Sequence, residues 1–270
     1  MGYHRVAALA LAGVLTAWSS EVPLLAQGTM PETSVKTRLD EIVGRSRLRV
    51  GTTGDYRPFT YLNKETGKYE GHDIDVALAL GKAMGVEVEF VPTTWPTLSK
   101  DFAANTFDIA MGGVSITLAR QLIGSFSTPI MREGKAPIAR CGETEKFDTL
   151  AEIDEPGVRV VVNPGGTNEK FARAHFKEAA LRVHGDNVTI FKEIAEGRAD
   201  VMVTDASETK FQQKLNPGVL CAVNPDKPFD FAEKGYWIQR DAALKEFVDQ
   251  WLHIAGQTGE MKAIYAKWFE

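Results

Sequence analysis

Four short stretches of this 270-residue chain concentrate side chains able to handle a ligand: Thr53–Phe59, Gly112–Arg120, Gly165–Glu169 and Asp205. Together they offer two guanidinium groups, Arg57 and Arg120, several hydroxyls, aromatic rings and carboxylates. A planar guanidinium such as that of Arg120 holds a carboxylate through two parallel hydrogen bonds, which Lys cannot do. The set therefore suits a small polar organic acid better than a nucleotide. The Gly-rich turn Asn163–Gly166 lacks the Lys-Ser/Thr of a phosphate loop. His72, His175, His184 and His253 show neither metal nor triad spacing. Cys141 and Cys221 have no CxxC and no His at ligand spacing, whereas a structural zinc needs four ligands. Neither a metal nor a cofactor is expected.

The elements that must position these residues alternate. Leu48–Thr52 is β-prone, and Asp73–Met84 carries Ile74, Ala77, Leu78 and Gly81 at helical spacing. Val86–Phe90 alternates with period two and is expected to end at Pro92. A short helix over Thr97–Ala104 precedes a strand over Phe107–Met111. The rhythm then repeats: a strand Gly157–Val162, a turn Asn163–Gly166, a helix from Thr167 to about Phe176, a helix Asn187–Glu196 and a strand Ala199–Thr204. Ala242–Gln257 places Leu244, Phe247, Val248, Trp251, Leu252 and Ala255 on one helical face. Such alternation predicts two α/β lobes with mainly parallel sheets and covering helices. Ligands of open α/β sheets sit beyond the carboxyl ends of the strands, which is where the four stretches fall.

Composition narrows the class. With 44% hydrophobic and 25% charged residues, the chain is an ordinary globular protein rather than a disordered or low-complexity one. It has 31 Lys+Arg against 36 Asp+Glu, a formal charge of −5, which argues against a nucleic-acid or anionic-membrane partner. His4 and Arg5 precede an apolar run Val6–Thr16, too short for a stable membrane anchor, so residues 1–26 are read as a secretory signal cut between Ser19 and Ala26. The mature protein is then expected to be exported, with no membrane segment left. In an oxidising compartment Cys141 and Cys221 most simply form a disulfide, two buried free thiols being the alternative.

The runs LRVGTTGDYRPFTY, GHDIDVALALGKAMG, FDIAMGGVSITLAR, NPGGTNEKFA, ADVMVTDA and EMKAIYAKWF resemble the periplasmic amino-acid-binding proteins, extracellular solute-binding family 3. The resemblance implies a type II periplasmic-binding-protein-like fold: two lobes, two hinge crossings and a ligand cleft between them. Lobe 1 would comprise 27–134 and 224–270, and lobe 2 135–223. Within that class, TTGDYRPF, NPGGTNEKFARA, DNVTIF, PFDFAEK and VDQWLHIA are similar to the cyclohexadienyl dehydratases. That likeness implies a lyase of phenylalanine biosynthesis, turning prephenate into phenylpyruvate, or arogenate into phenylalanine, with loss of water and carbon dioxide. The alternative is the periplasmic amino-acid-binding subunit of an ABC transporter.

The resemblance also assigns roles. Arg120 matches the residue that pairs with a ligand's α-carboxylate, and Ser115 a hydroxyl sharing it; a solvated surface Arg is the plainer alternative. Asp205 matches the carboxylate that receives an amino-acid ammonium, a role compatible with capping the following helix. Tyr56, Gly113, Thr167 and Asn168 fall in the matching segments as substrate contacts. Trp95 and Phe59 would wall the six-membered ring, or simply be core; Lys135 is a second cation or a solvated hinge Lys. If Thr167 is the N-cap, a capping-box acid belongs at 170, which is Lys. Glu169 is then left for proton donation to the departing ring hydroxyl, although any acid in a first helical turn also gains from the dipole.

Overall fold

The structure, a computed structural model, describes residues 1–2 and 36–270. The expected signal segment therefore lies outside the described residues, save for its first two. Leu48 and Val50, fully buried, anchor the strand Arg47–Thr52 in a five-stranded sheet. Its order is Glu87–Pro92, Arg47–Thr52, Ile109–Ala110, Trp237–Ile238, Ser125–Phe126, and only Trp237–Ile238 opposes its neighbours. A second sheet runs Ala180–Val183, Arg159–Val162, Val201–Asp205, Lys135–Arg140, Leu220–Ala222, with only Lys135–Arg140 reversed. Each reversed strand follows a passage between sheets. The passages themselves, Met131–Glu133 and Ala232–Lys234, pair antiparallel, Met131 opposite Lys234.

The helix Ala242–Gln257 forms over the span its apolar spacing predicts, and Asp241 caps it by accepting from the Leu244 N–H. Its buried residues Leu244, Val248, Trp251 and Leu252 pack with Val50, Ile109 and Ile238 and with Val76 and Leu80 of the helix His72–Met84. Burying each such side chain contributes roughly 1.5–3 kcal/mol. The chain's end thus completes the first sheet's core. The second sheet has its own core, with Val160, Val162, Phe171, Val201 and Val203 on one face and Ile138, Ile190, Ile194 and Met202 on the other. Cys141, just beyond the strand Lys135–Arg140, and Cys221, inside the neighbouring strand Leu220–Ala222, are disulfide-bonded with Cα atoms 4.7 Å apart.

Three expectations are corrected. The strand Glu87–Pro92 includes Pro92, because it is an edge strand whose missing N–H is not needed. The helix expected from Asn187 begins only at Ile190, since Asp186 takes the Val188 N–H on its carboxylate and the Thr189 N–H on its carbonyl, forming a turn. The helix expected from Thr167 starts at Gly166 with Gly165 as N-cap; both glycines have positive φ, 69° and 71°. A Cβ on Gly165 would lie 2.7 Å from the Pro96 nitrogen, so only Gly lets this turn close on the Trp95–Pro96 segment.

Candidate active site

Asp205 sits at the centre of a buried charge cluster between the two sheets. It ends the strand Val201–Asp205 and is the N-cap of the helix Ala206–Leu215, yet its side chain makes no cap bond. Instead Oδ1 accepts from Lys135 Nζ at 2.6 Å, and Oδ2 accepts from Lys234 Nζ and the Tyr56 hydroxyl. Burial alone would raise its pKa, but Lys135 and Lys234 outweigh burial and hold the carboxyl well below the usual carboxylate range. Lys234, 1% exposed, also lies 3.3 Å from Ser115 Oγ and 3.4 Å from a Glu133 oxygen. Burial opposes its charge, yet Asp205 and Glu133 more than offset that and raise its pKa.

On the second-sheet side, Lys135 Nζ donates to Thr167 Oγ1 at 3.0 Å and to Asn168 Oδ1. Asn168 Nδ2 donates to Asn163 Oδ1 and Thr204 Oγ1, and Thr204 donates to Glu208 at 2.6 Å. Glu208 is fully enclosed, and burial, helped by the Asp205 charge, pushes its pKa up to about 8.

On the first-sheet side, Asp73 accepts from the N–H groups of Gly112 and Gly113 and so fixes the loop that carries Ser115. A Cβ on Gly113 would fall 2.4 Å from the Tyr56 ring, so glycine makes room for that ring. Tyr56 stacks on Phe59 at 5.3 Å and meets Trp95 edge-on at 5.5 Å. Phe59 is fully buried behind Tyr56 and does not line the cleft, so of the two expected ring walls only Trp95 faces it. Arg120 is 7% exposed, makes one side-chain hydrogen bond, to the Ser115 carbonyl at 2.7 Å, and has no carboxylate in salt-bridge range among the described residues. Burial lowers its pKa to about 10, so the guanidinium remains charged. A buried cation without an anion is costly, which marks the place where an anionic ligand would repay the burial.

The sheets close on a cavity of about 10 Å³ lined by Tyr56, Trp95, Ser115, Thr167, Asn187 and Asp205 among others. That is room for about one water. A larger cavity of about 550 Å³ lies beside the passages, around Phe211, Phe231 and Phe269. Among its lining residues Lys210 pairs with Asp226, while a Glu133 oxygen and the Ser207 hydroxyl are buried without a hydrogen-bond partner among the described residues.

Glu169 stands in the first turn of the helix Gly166–His175, one residue beyond Asn168. Its carboxylate accepts from the Gly165 N–H and from Arg173 at 2.7 Å. The Gly165 bond, against burial and with help from Arg173, holds its pKa below the ordinary value. Because the helix starts earlier than Thr167, Glu169 does serve as a cap from one position further on, a use the sequence spacing had excluded. Lys234, Glu133, Glu208 and Asn187 are the functional candidates that sequence reasoning passed over. Lys234, Glu133 and Asn187 are single polar residues with no spacing signal of their own, and the spacing of Glu208 after Asp205 signals a cap rather than a site.

Comparison with known proteins places these features in context. A family model for bacterial extracellular solute-binding proteins, family 3, matches residues 48–270. The chain is 54% identical over 235 residues to the cyclohexadienyl dehydratase of Pseudomonas aeruginosa, covering 87% of each. It is 25% identical over 232 residues to the L-cystine-binding protein TcyJ of Escherichia coli, covering 86% of this chain and 85% of that one. Among solved structures it resembles an ancestral amino acid-binding protein described as a precursor of cyclohexadienyl dehydratase, with TM-score 0.79 and 37% identity over 86% of this chain and 99% of that one. It also resembles an ancestral cyclohexadienyl dehydratase, with TM-score 0.55 and 52% identity over 87% and 97% of the two chains.

Proposed function

This chain belongs to the bacterial extracellular solute-binding proteins, family 3, and we propose that it is not a carrier but a cyclohexadienyl dehydratase. It converts prephenate to phenylpyruvate, and arogenate to phenylalanine, releasing water and carbon dioxide. We place it in the periplasm, the compartment that suits its family and its disulfide.

The carrying observation is the charge of the cleft. Asp205, the carboxylate that would receive an amino-acid ammonium, is already held by Lys135 and Lys234. Arg120, Lys135 and Lys234 together outnumber Asp205 and Glu133, and burial pushes the Glu208 pKa up to about 8. That surplus suits a ligand with two carboxylates, as prephenate and arogenate have. Arg120 with Ser115 would anchor the side-chain carboxylate, while Thr167, Asn168 and Lys135 face the ring beside Tyr56 and Trp95.

Glu169 is proposed as the proton donor. As it protonates the ring hydroxyl, the C–O bond breaks and water leaves. The C–C bond to the ring carboxylate breaks with it, releasing carbon dioxide, and that bond's electron pair completes the aromatic ring. One proton is consumed per turnover and no cofactor enters the balance. The donor must be protonated, and its present hydrogen bonds pull the other way. Two substrate carboxylates brought into a dry cleft raise a nearby carboxyl's pKa and oppose them. The held state of Glu169 favours the alternative, an amino-acid-binding subunit of an ABC transporter, as does membership of a solute-binding family. Mixing the purified mature protein with prephenate and following phenylpyruvate by absorbance decides between them: turnover supports the enzyme, whereas tight binding of an ordinary amino acid without turnover supports the carrier.

A further inference from the structure

We infer that Asn187 is the acceptor that orients the substrate's ring hydroxyl, an assignment that rests on the dehydratase reading above. Asn187 lies in the turn between the strand Ala180–Val183 and the helix Ile190–Ala195 and is 5% exposed. Its Nδ2 donates to the Asp55 carbonyl at 3.0 Å. A carbonyl can only accept, so this bond fixes which end of the amide is which. The other end, Oδ1, is buried without a hydrogen-bond partner among the described residues, and Asn187 lines the cleft cavity. Leaving a buried amide oxygen unsatisfied costs about 1–3 kcal/mol, so a site that keeps one is built for a donor that arrives with the ligand.

Chemistry names that donor. Carboxylates and a keto group only accept, so the ring hydroxyl is the one donor prephenate carries. The hydroxyl oxygen must take the acid's proton on a lone pair, and its own hydrogen must therefore point to an acceptor elsewhere. Asn187 Oδ1 supplies that acceptor. The bond to Asp55 joins the second-sheet side of the cleft to the first, so the amide is held in register only when the cleft is shut. Recognition of the hydroxyl is thereby tied to closure.

The test compares the mature wild-type protein with Asn187→Ala, using prephenate as substrate and phenylpyruvate, which lacks the ring hydroxyl, as competitive inhibitor. The expected result is a fall in kcat/KM of about 10–100-fold, within the 5–150-fold equivalent of one buried hydrogen bond, carried mostly by kcat. The phenylpyruvate inhibition constant should move by less than about threefold, since the product never made the contact. Should the alanine variant fail to fold, the near-isosteric Asn187→Leu is measured in the same way. Equal shifts for substrate and product would reduce Asn187 to a closure contact and overturn the assignment, as would no shift in either. A wild-type protein that does not turn over prephenate removes the dehydratase reading and this assignment together, a failure visible before any variant is made.

Discussion

Replacing Glu169 by Gln separates catalysis from capping more sharply than any other single change. The structural cost is bounded by what the side chain touches. Gln still accepts from the Gly165 N–H but loses the charge that favours a helix N-terminus, worth about 0.3–1 kcal/mol. It also loses the i,i+4 pair with Arg173, whose side chain is 59% exposed, worth about 0.3–0.5 kcal/mol. The sum stays below about 1.5 kcal/mol, a melting-temperature loss of only a few degrees for a domain of this size. The catalytic cost is of another order. An amide cannot deliver the proton, and a positioned general acid contributes about 10²–10⁴-fold. Steady-state assays with prephenate should therefore show kcat falling by that factor while KM changes little. The wild-type pH profile adds an independent sign: kcat requires the protonated acid, so it declines as pH rises through the Glu169 pKa of the complex, and the Gln variant's residual rate loses that limb. A kcat within about tenfold of wild type would refute the reasoning and leave Glu169 as a cap.

The remaining predictions follow from the same cluster. Arg120→Met should raise KM by roughly 10²-fold or more, by removing a charged bidentate partner, while raising the melting temperature, because a buried cation without an anion is taken out; calorimetry and kinetics on one variant check both signs. For Glu208, a folded pKa of about 8 lies above the unfolded value, so its contribution to stability falls as pH rises from about 4.5 through 8. Glu208→Gln, neutral at every pH, should be close to wild type at pH 5 and more stable at pH 8.5 in denaturant titrations; an unchanged stability difference between those pH values would contradict the burial argument. The bond between Cys141 and Cys221 closes a separation of 80 residues, for which the chain-entropy model gives at most about 4.5 kcal/mol. Thiol titration of the unfolded, unreduced protein should find no free thiol, and reduction should lower the denaturant midpoint.

Much of the scaffold was legible because it rests on repetition. The helix Ala242–Gln257 shows five buried residues on one face, and a 3.6 period repeated over four turns survives any detail of tertiary context. The strands around Val160 and Val201 are largely apolar runs, the strand around Val50 alternates Leu48 and Val50 with Arg47 and Arg49, and all three lie where the sequence puts them to within two residues. Boundaries failed where a single residue redirected the backbone: the two positive-φ glycines moved one helix start from Thr167 back to Gly166, and Asp186 delayed another to Ile190.

The site was legible only in part, for a different reason. Arg120, Ser115, Asn168 and Asp205 could be named because their segments resemble the solute-binding family and lie beyond strand ends, but what each touches is set by partners far away in the chain. Asp205 illustrates the point. Its sequence position, three residues before Glu208, spells a capping box, and both side chains decline it: Asp205 turns to Lys135 and Lys234, and Glu208 to Thr204. Local rules predicted a cap worth about 1 kcal/mol. Two ammonium groups, Lys135 from the neighbouring strand of the same sheet and Lys234 from the passage between the sheets, outweigh that cap. A strand-end acid that abandons its own helix therefore marks where the two halves of the protein meet, and hence where a ligand must enter between them.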